Sequence, residues 1–229
     1  MSDDPGAVVR TGYDAAMSSY ARLEQARWPR KRWLGGLTTL LTPNAEVLDL
    51  GCATGVPTVA DLATTFRVTG VDISPAQIEQ ARANVLAATF ICDDLRTVDF
   101  TDGRFDAVVS LYTFDHVPRD QHGTLLVRIH RWLRPGGYLL LSIEDADEPG
   151  RTVEWLGVDM HFSMFDAQRT RQLVVDAGFV IVRTAVETQT EGNTEIPYTW
   201  ILAQRAPEER VANKRSPVDA PTQSTQRLG

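Results

Sequence analysis

The sequence predicts an α/β fold, a mostly parallel sheet with helices on both faces. Three observations predict it. The apolar run Val47-Leu48-Asp49-Leu50 ends in a loop of small residues, Gly51-Cys52-Ala53-Thr54-Gly55, and then in a helix start over 56–62. A second apolar run, 67–72, ends in Asp72 and is followed by Ser74-Pro75, a helix cap with proline in the first turn. Short apolar runs then alternate with helical stretches to about residue 205, the alternation that builds βαβ units.

The elements follow in order. Residues 1–8 read as a loose end. Residues 15–27 and 30–41 read as two helices broken at Trp28-Pro29, ahead of the first strand and outside the βα core. Small residues after the first strand let the backbone approach a ligand and adopt positive φ, and the following helix offers free N–H groups. A helix over 76–87 leads to a third strand, 89–92, followed by Asp93-Asp94-Leu95. The fourth strand is 105–111, then comes a helix over 119–133, a turn at Arg134-Pro135-Gly136-Gly137 and a fifth strand ending at Ile143. An acidic stretch, 144–150, and an aromatic insertion, 155–165, precede a helix over 166–178 that Gly178 stops. The sixth strand is 179–186. The seventh, 198–204, runs back along the sheet edge. Ligands in such sheets bind beyond the carboxyl ends of the strands, so the loops after strands one to five share one cleft.

The loop spacing narrows the ligand. A dinucleotide fingerprint runs Gly-x-Gly-x-x-Gly. Here the small residues Gly51, Ala53 and Gly55 fall at every second position, with Asp49 two residues before the first. This resembles motif I of the class I S-adenosylmethionine-dependent methyltransferases, Asp/Glu-x-Gly-x-Gly-x-Gly, with Ala53 where the middle glycine is usual. A positive φ at Ala53 would cost roughly 1 kcal/mol. The turn Leu133-Arg134-Pro135-Gly136-Gly137 also recurs in that family, and the resemblance spans about residues 44–205.

The resemblance implies a Rossmann-like seven-stranded sheet with its last strand antiparallel, a methyltransferase domain over 44–205 and an N-terminal helical lid over 1–43. It implies S-adenosylmethionine as cofactor, S-adenosylhomocysteine as product and no metal. The cofactor residues it marks are Asp49, Gly51, Cys52, Ala53 and Gly55 in the loop, Asp72 on the ribose hydroxyls, Ile73 beside it, Leu95 and Ser110. An acid after strand three accepts from the adenine amino group. Asp94 matches that place better than Asp93, though Asp93 is also a candidate and either reads equally as a turn acid. Tyr13 and Tyr20 share a helix face at i and i+7. They read as core, or as a lid whose phenol reaches the methionine carboxylate or the acceptor.

Methyl transfer is an in-line displacement, so positioning dominates, and a hydroxyl acceptor also needs a base. His116, after strand four, and His161, in the aromatic insertion, are the candidate bases. Asp115 is a further candidate. His116 also reads as a pocket-shaping group, and His161 as a hydrogen-bond partner of the acceptor. Tyr112, Phe114, Trp155, Phe162, Phe165 and Trp200 read as an apolar acceptor pocket or as core, and aromatic faces also stabilise a sulfonium. The Asn/Asp-Pro-Pro-Tyr/Phe motif of amino-methylating nucleic-acid enzymes is absent after strand four, where Leu111-Tyr112-Thr113-Phe114 stands. The double-Glu loop of arginine methyltransferases and the Asp/Asn ligand set of metal-dependent catechol enzymes are absent as well.

The resemblance implies a small organic acceptor, with a tRNA or protein acceptor, or a non-catalytic cofactor-binding module of the same fold, as the alternatives. The 229 residues suit one α/β domain, and a net charge of −7 argues against a nucleic-acid surface. The local exception, Arg27, Arg30, Lys31 and Arg32, reads as a solvated helix face. Cys52 and Cys92 make no disulfide or metal framework. No signal peptide or long apolar run is present, which predicts a cytoplasmic chain with no membrane partner, a monomer or homodimer. The polar residues 206–229 predict a disordered tail.

Overall fold

The computed structural model describes residues 4–25, 28–191 and 194–208. Two helices, α1 (Pro5–Gln25) and α2 (Trp28–Thr38), precede the sheet. The core then runs β1 (Glu46–Leu50), α3 (Thr58–Leu62), β2 (Arg67–Asp72), α4 (Pro75–Asn84), β3 (Thr89–Cys92), β4 (Phe105–Leu111), α5 (His122–Trp132) and β5 (Leu133–Glu144). A hairpin of β6 (Glu148–Trp155) and β7 (Val158–Met164) follows, then α6 (Ala167–Asp176), β8 (Phe179–Glu191) and β9 (Thr194–Arg205).

Seven strands form one sheet in the order β3-β2-β1-β4-β5-β9-β8. The first five are parallel, and β9 is antiparallel to both β5 and β8. The chain reverses its direction of travel between β1 and β4, which creates the switch-point crevice at their carboxyl ends. One apolar core lies between one sheet face and α5 with α6. The other lies under α2, α3 and α4.

Three expectations need correction here. The seventh strand, β9, is not at the edge but between β5 and β8. Its run Tyr198 to Ala203 is buried throughout, as an interior strand requires, whereas β8 shows exposed residues along most of its length. The aromatic insertion is a hairpin, not a loop: Leu156 and Gly157 both take positive φ (53° and 81°), the two-residue turn that matches strand twist. Residues 5–8 are helical rather than loose. Pro5 opens α1, and Arg96 holds Asp4 just before it.

The basic cluster is also not simply a solvated face. Arg30 is buried and Arg32 pairs with Glu187, while Arg27 lies outside the described residues. Of the expected tail, residues 209–229 lie outside them too. No described helix is long and apolar enough to cross a membrane.

Candidate active site

The loop after β1 explains its own spacing. Gly51, Ala53 and Gly55 have φ of 78°, 47° and 73°, so every second residue sits in the left-handed region. The N–H groups of Gly51 and Cys52 both donate to the Val71 carbonyl (2.8 and 3.0 Å), which folds the loop over β2. A Cβ at Gly51 would overlap the Thr113 side chain. Ala53 carries its Cβ in this region at a cost of about 1 kcal/mol.

Asp72 ends β2 in the same crevice. Its carboxylate accepts from the N–H groups of Ala53 (2.9 Å) and Ser74 (3.0 Å), so it ties the first loop to the second. Burial outweighs those bonds and pushes its carboxyl up to about 6. Ser74 caps α4 by accepting from the Gln77 N–H, and its hydroxyl donates to Asp14 of α1 at 2.5 Å. A second clasp lies at the start of α1. Arg96 bridges Asp4, before the helix, and Asp94, after β3, with contacts of 2.6–3.1 Å. Beneath α1 lies a cavity partly open to solvent, with about 570 Å³ of empty space, lined by Gly51, Ala53, Asp72, Ile73, Asp94 and Leu95 among others.

Tyr13 and His116 stand where this cavity meets a second one of about 890 Å³, partly open to solvent, and both line both. The Tyr13 hydroxyl lies 2.7 Å from His116 Nε2, and His116 Nδ1 lies 2.8 Å from the His161 carbonyl oxygen. That carbonyl only accepts, so Nδ1 carries the proton, and in the neutral ring Nε2 accepts from the Tyr13 hydroxyl. The second cavity is walled by Asp115, Glu144, Arg151, Trp155, Phe162 and Tyr198 among others. Tyr112 lines both cavities at φ 57°, an outlier for an aromatic residue, held by N–H bonds to Ser142 and a hydroxyl bond to Gln189.

A family model for a methyltransferase domain matches residues 47–137, from β1 into β5. An uncharacterized methyltransferase of Synechocystis is 28% identical over 151 residues, 62% of this chain and 70% of that one. Over residues 47–137 the chain is thus similar to the S-adenosylmethionine-dependent methyltransferases. Among its relatives is the carboxy-S-adenosyl-L-methionine synthase of a Geobacter species, 34% identical over 131 residues, 52% of each chain. The chain thus spans about half the length of the curated synthases it matches. Among solved structures, Burkholderia thailandensis 1,6-didemethyltoxoflavin-N1-methyltransferase, with bound 1,6-didemethyltoxoflavin and S-adenosylhomocysteine, superposes with a TM-score of 0.67 at 24% identity. That match covers 87% of this chain and 88% of that one, and it speaks to the fold.

Within this methyltransferase fold, several residues marked in the sequence turn away from the cavities. Cys52 is buried against Gly70, Gly55 faces Phe90 and Val85, and Asp49 is buried in the sheet. The Ser110 hydroxyl donates to the Leu50 carbonyl inside the sheet. Phe114 is core, packed edge-on against His122, and Trp200 is core, stacked on Trp33. Phe165 lies under the guanidinium groups of Arg119 and Arg169. The His161 ring points towards Gly150 and lines neither cavity, although its carbonyl orients His116. Alternation along β7 explains this, since His161 and Phe162 face opposite sides and Phe162 takes the cavity side. Tyr20 lines the first cavity, not the second. Asp94 lines the first cavity and Asp93 does not. No cluster of three or more metal-ligating groups exists among the described residues.

Sequence reasoning missed Arg96, Thr113, Glu144, Arg151, Glu191 and Tyr198. Thr113 was legible as the neighbour of Tyr112. Glu191 reaches the site from β8, and no local signal marks it.

Proposed function

We propose that the protein transfers a methyl group from S-adenosylmethionine to a small organic acceptor. The observation that carries this reading is the meeting of the switch-point cavity with a second, aromatic-walled cavity at the Tyr13–His116 pair. The residues of the first cavity fit the cofactor. Asp72 keeps lone pairs for two ribose hydroxyls, Ile73 and Leu95 offer apolar flanks for the adenine, and Asp94 offers an acceptor for its amino group. Gly51 and Ala53 leave the backbone open beside the amino-acid end. When bound, S-adenosylmethionine supplies a methyl group on a positively charged sulfur that departs as a neutral thioether.

The chain's own residues supply position and a proton acceptor. Tyr13 of α1 closes the roof, so residues 1–43 act as the lid and 44–205 as the catalytic domain. Holding the reactants at near-attack distance contributes at most roughly 7–11 kcal/mol. The Tyr13 hydroxyl takes the proton that an O–H or N–H acceptor loses as it passes its own to His116 Nε2, and the His161 carbonyl stabilises the resulting imidazolium through Nδ1–H. Calorimetric titration tests the cofactor, with S-adenosylhomocysteine expected to bind and NAD not. His116→Ala is expected to lower kcat by roughly 100- to 10,000-fold with S-adenosylhomocysteine affinity unchanged. Failure of both sulfur compounds to bind overturns the reading.

A further inference from the structure

The second cavity carries a charge that methyl transfer itself does not demand. Its walls hold five carboxylates, Asp115, Glu144, Asp147, Glu148 and Glu191, against one guanidinium, Arg151. Arg119 pairs with Asp147, and Arg151 lies 2.8 Å from Glu148. Glu144 has no cationic side chain within ion-pair distance among the described residues. It ends β5 opposite Tyr198 of β9, and the Tyr198 hydroxyl donates to Glu191 at 3.0 Å. Glu191 therefore reaches across β9 towards Glu144. Burial first, then repulsion from Glu191, lifts the Glu144 carboxyl above the usual carboxylate range. The remaining wall is aromatic: Trp155 and Phe162 pack edge to face at 5.9 Å, with Tyr112 and Tyr198 opposite, also edge to face at 4.9 Å. A neutral or anionic guest leaves the carboxylates repelling one another. A cation relieves that repulsion and also gains from the aromatic faces.

We propose that the acceptor carries a protonated amine on a flat apolar frame, with Glu144 and Glu191 holding the ammonium and the rings holding the frame. The proposal rests on the reading of this cavity as the acceptor chamber. It also divides the acceptor's roles. A protonated nitrogen has no lone pair with which to attack carbon. The ammonium is therefore an anchor, and the methylated atom is a different group of the same molecule, placed at the Tyr13–His116 junction.

The test uses three probes of one shape, 2-phenylethylamine, 2-phenylethanol and phenylacetate, titrated calorimetrically into the full chain at neutral pH, with and without saturating S-adenosylhomocysteine. The amine is expected to bind about tenfold tighter than the alcohol, with phenylacetate weakest. Glu144→Gln is expected to erase most of that preference while leaving the affinity for the alcohol unchanged. Glu191→Gln is the second variant should Glu144→Gln fail to fold, with the melting midpoint as the control. Equal affinity for the three probes, preference for phenylacetate, or no binding of the amine at millimolar concentration overturns the proposal. Failure of S-adenosylhomocysteine to bind while the amine preference persists instead sinks the cofactor reading and leaves the cation site standing.

Discussion

Asp72 combines burial with two backbone hydrogen bonds, and its carboxyl at about 6 has consequences of opposite sign for binding and for stability. Ribose hydroxyls donate to the ionised form, so affinity for S-adenosylhomocysteine should be flat above neutrality and fall as pH drops through about 6. Calorimetry at a series of pH values reads this directly, and an unchanged affinity at pH 5 counts against the ribose assignment. For stability, the folded carboxyl holds its proton more tightly than the unfolded one, whose pKa is near 3.9. Asp72 therefore subtracts stability at neutral pH, and that loss is relieved as pH falls from about 6 towards 4. Asp72→Ala should weaken cofactor binding by about 1.5–3 kcal/mol, the scale of a charge-assisted hydrogen bond. Ala53 poses a second question at this scale. Its φ of 47° means that Ala53→Gly should raise the melting midpoint by a few degrees; a fall would mean that the methyl packs well enough to outweigh the strain.

Helix α1 is held over the first cavity by two polar clasps and a small apolar cluster of Val9, Tyr13, Tyr20 and Met160. Gly12 permits the approach, since a Cβ there would lie 2.8 Å from the Asp159 carbonyl of β7. Asp4 is half-exposed, so the Arg96 clasp contributes little to global stability. Its weight falls on the local opening of the helix end. Arg96→Ala should speed amide exchange over residues 5–12 and the dissociation of S-adenosylhomocysteine, with the melting midpoint scarcely moved. Protection factors that match the unmodified protein would mean that the apolar cluster alone holds α1 in place. The clasps were not legible in the sequence because Asp4, Asp14, Ser74 and Arg96 are ordinary polar residues until the fold brings positions 60–92 apart together.

At the scale of the whole molecule, the sheet order decides which aromatics serve the site. The interior place of β9 puts Trp200 in the core, fully buried and stacked on Trp33, and away from the second cavity. Trp200→Ala should cost about 3–5 kcal/mol in denaturant unfolding, and a cost below about 1 kcal/mol would count against a core role. The same topology delivers Glu191 and Tyr198 to the chamber, one from the edge strand β8 and one from β9. The hairpin β6–β7 then supplies Trp155 and Phe162 from outside the main sheet.

The parallel core, the first loop and the acids after β2 and β3 were legible along the chain because each is a local device. An alternating set of small residues, an acid at a strand end and a Ser-Pro cap are dictated by the backbone within a few residues of one another. His116 was legible for the same reason, being five residues beyond β4. Its tautomer, its tyrosine partner and the separation of the two cavities were not, because they depend on α1 crossing residues more than a hundred positions away. Side-chain facing was undecidable where strand alternation was hidden inside the insertion, and so His161 was read as facing the acceptor beside Phe162, whereas of the two only Phe162 lines the second cavity. Sequence alone thus determined the class of fold and the place of the cleft. Tertiary structure decided which polar groups face it, because facing is set by packing between elements and not by order along the chain.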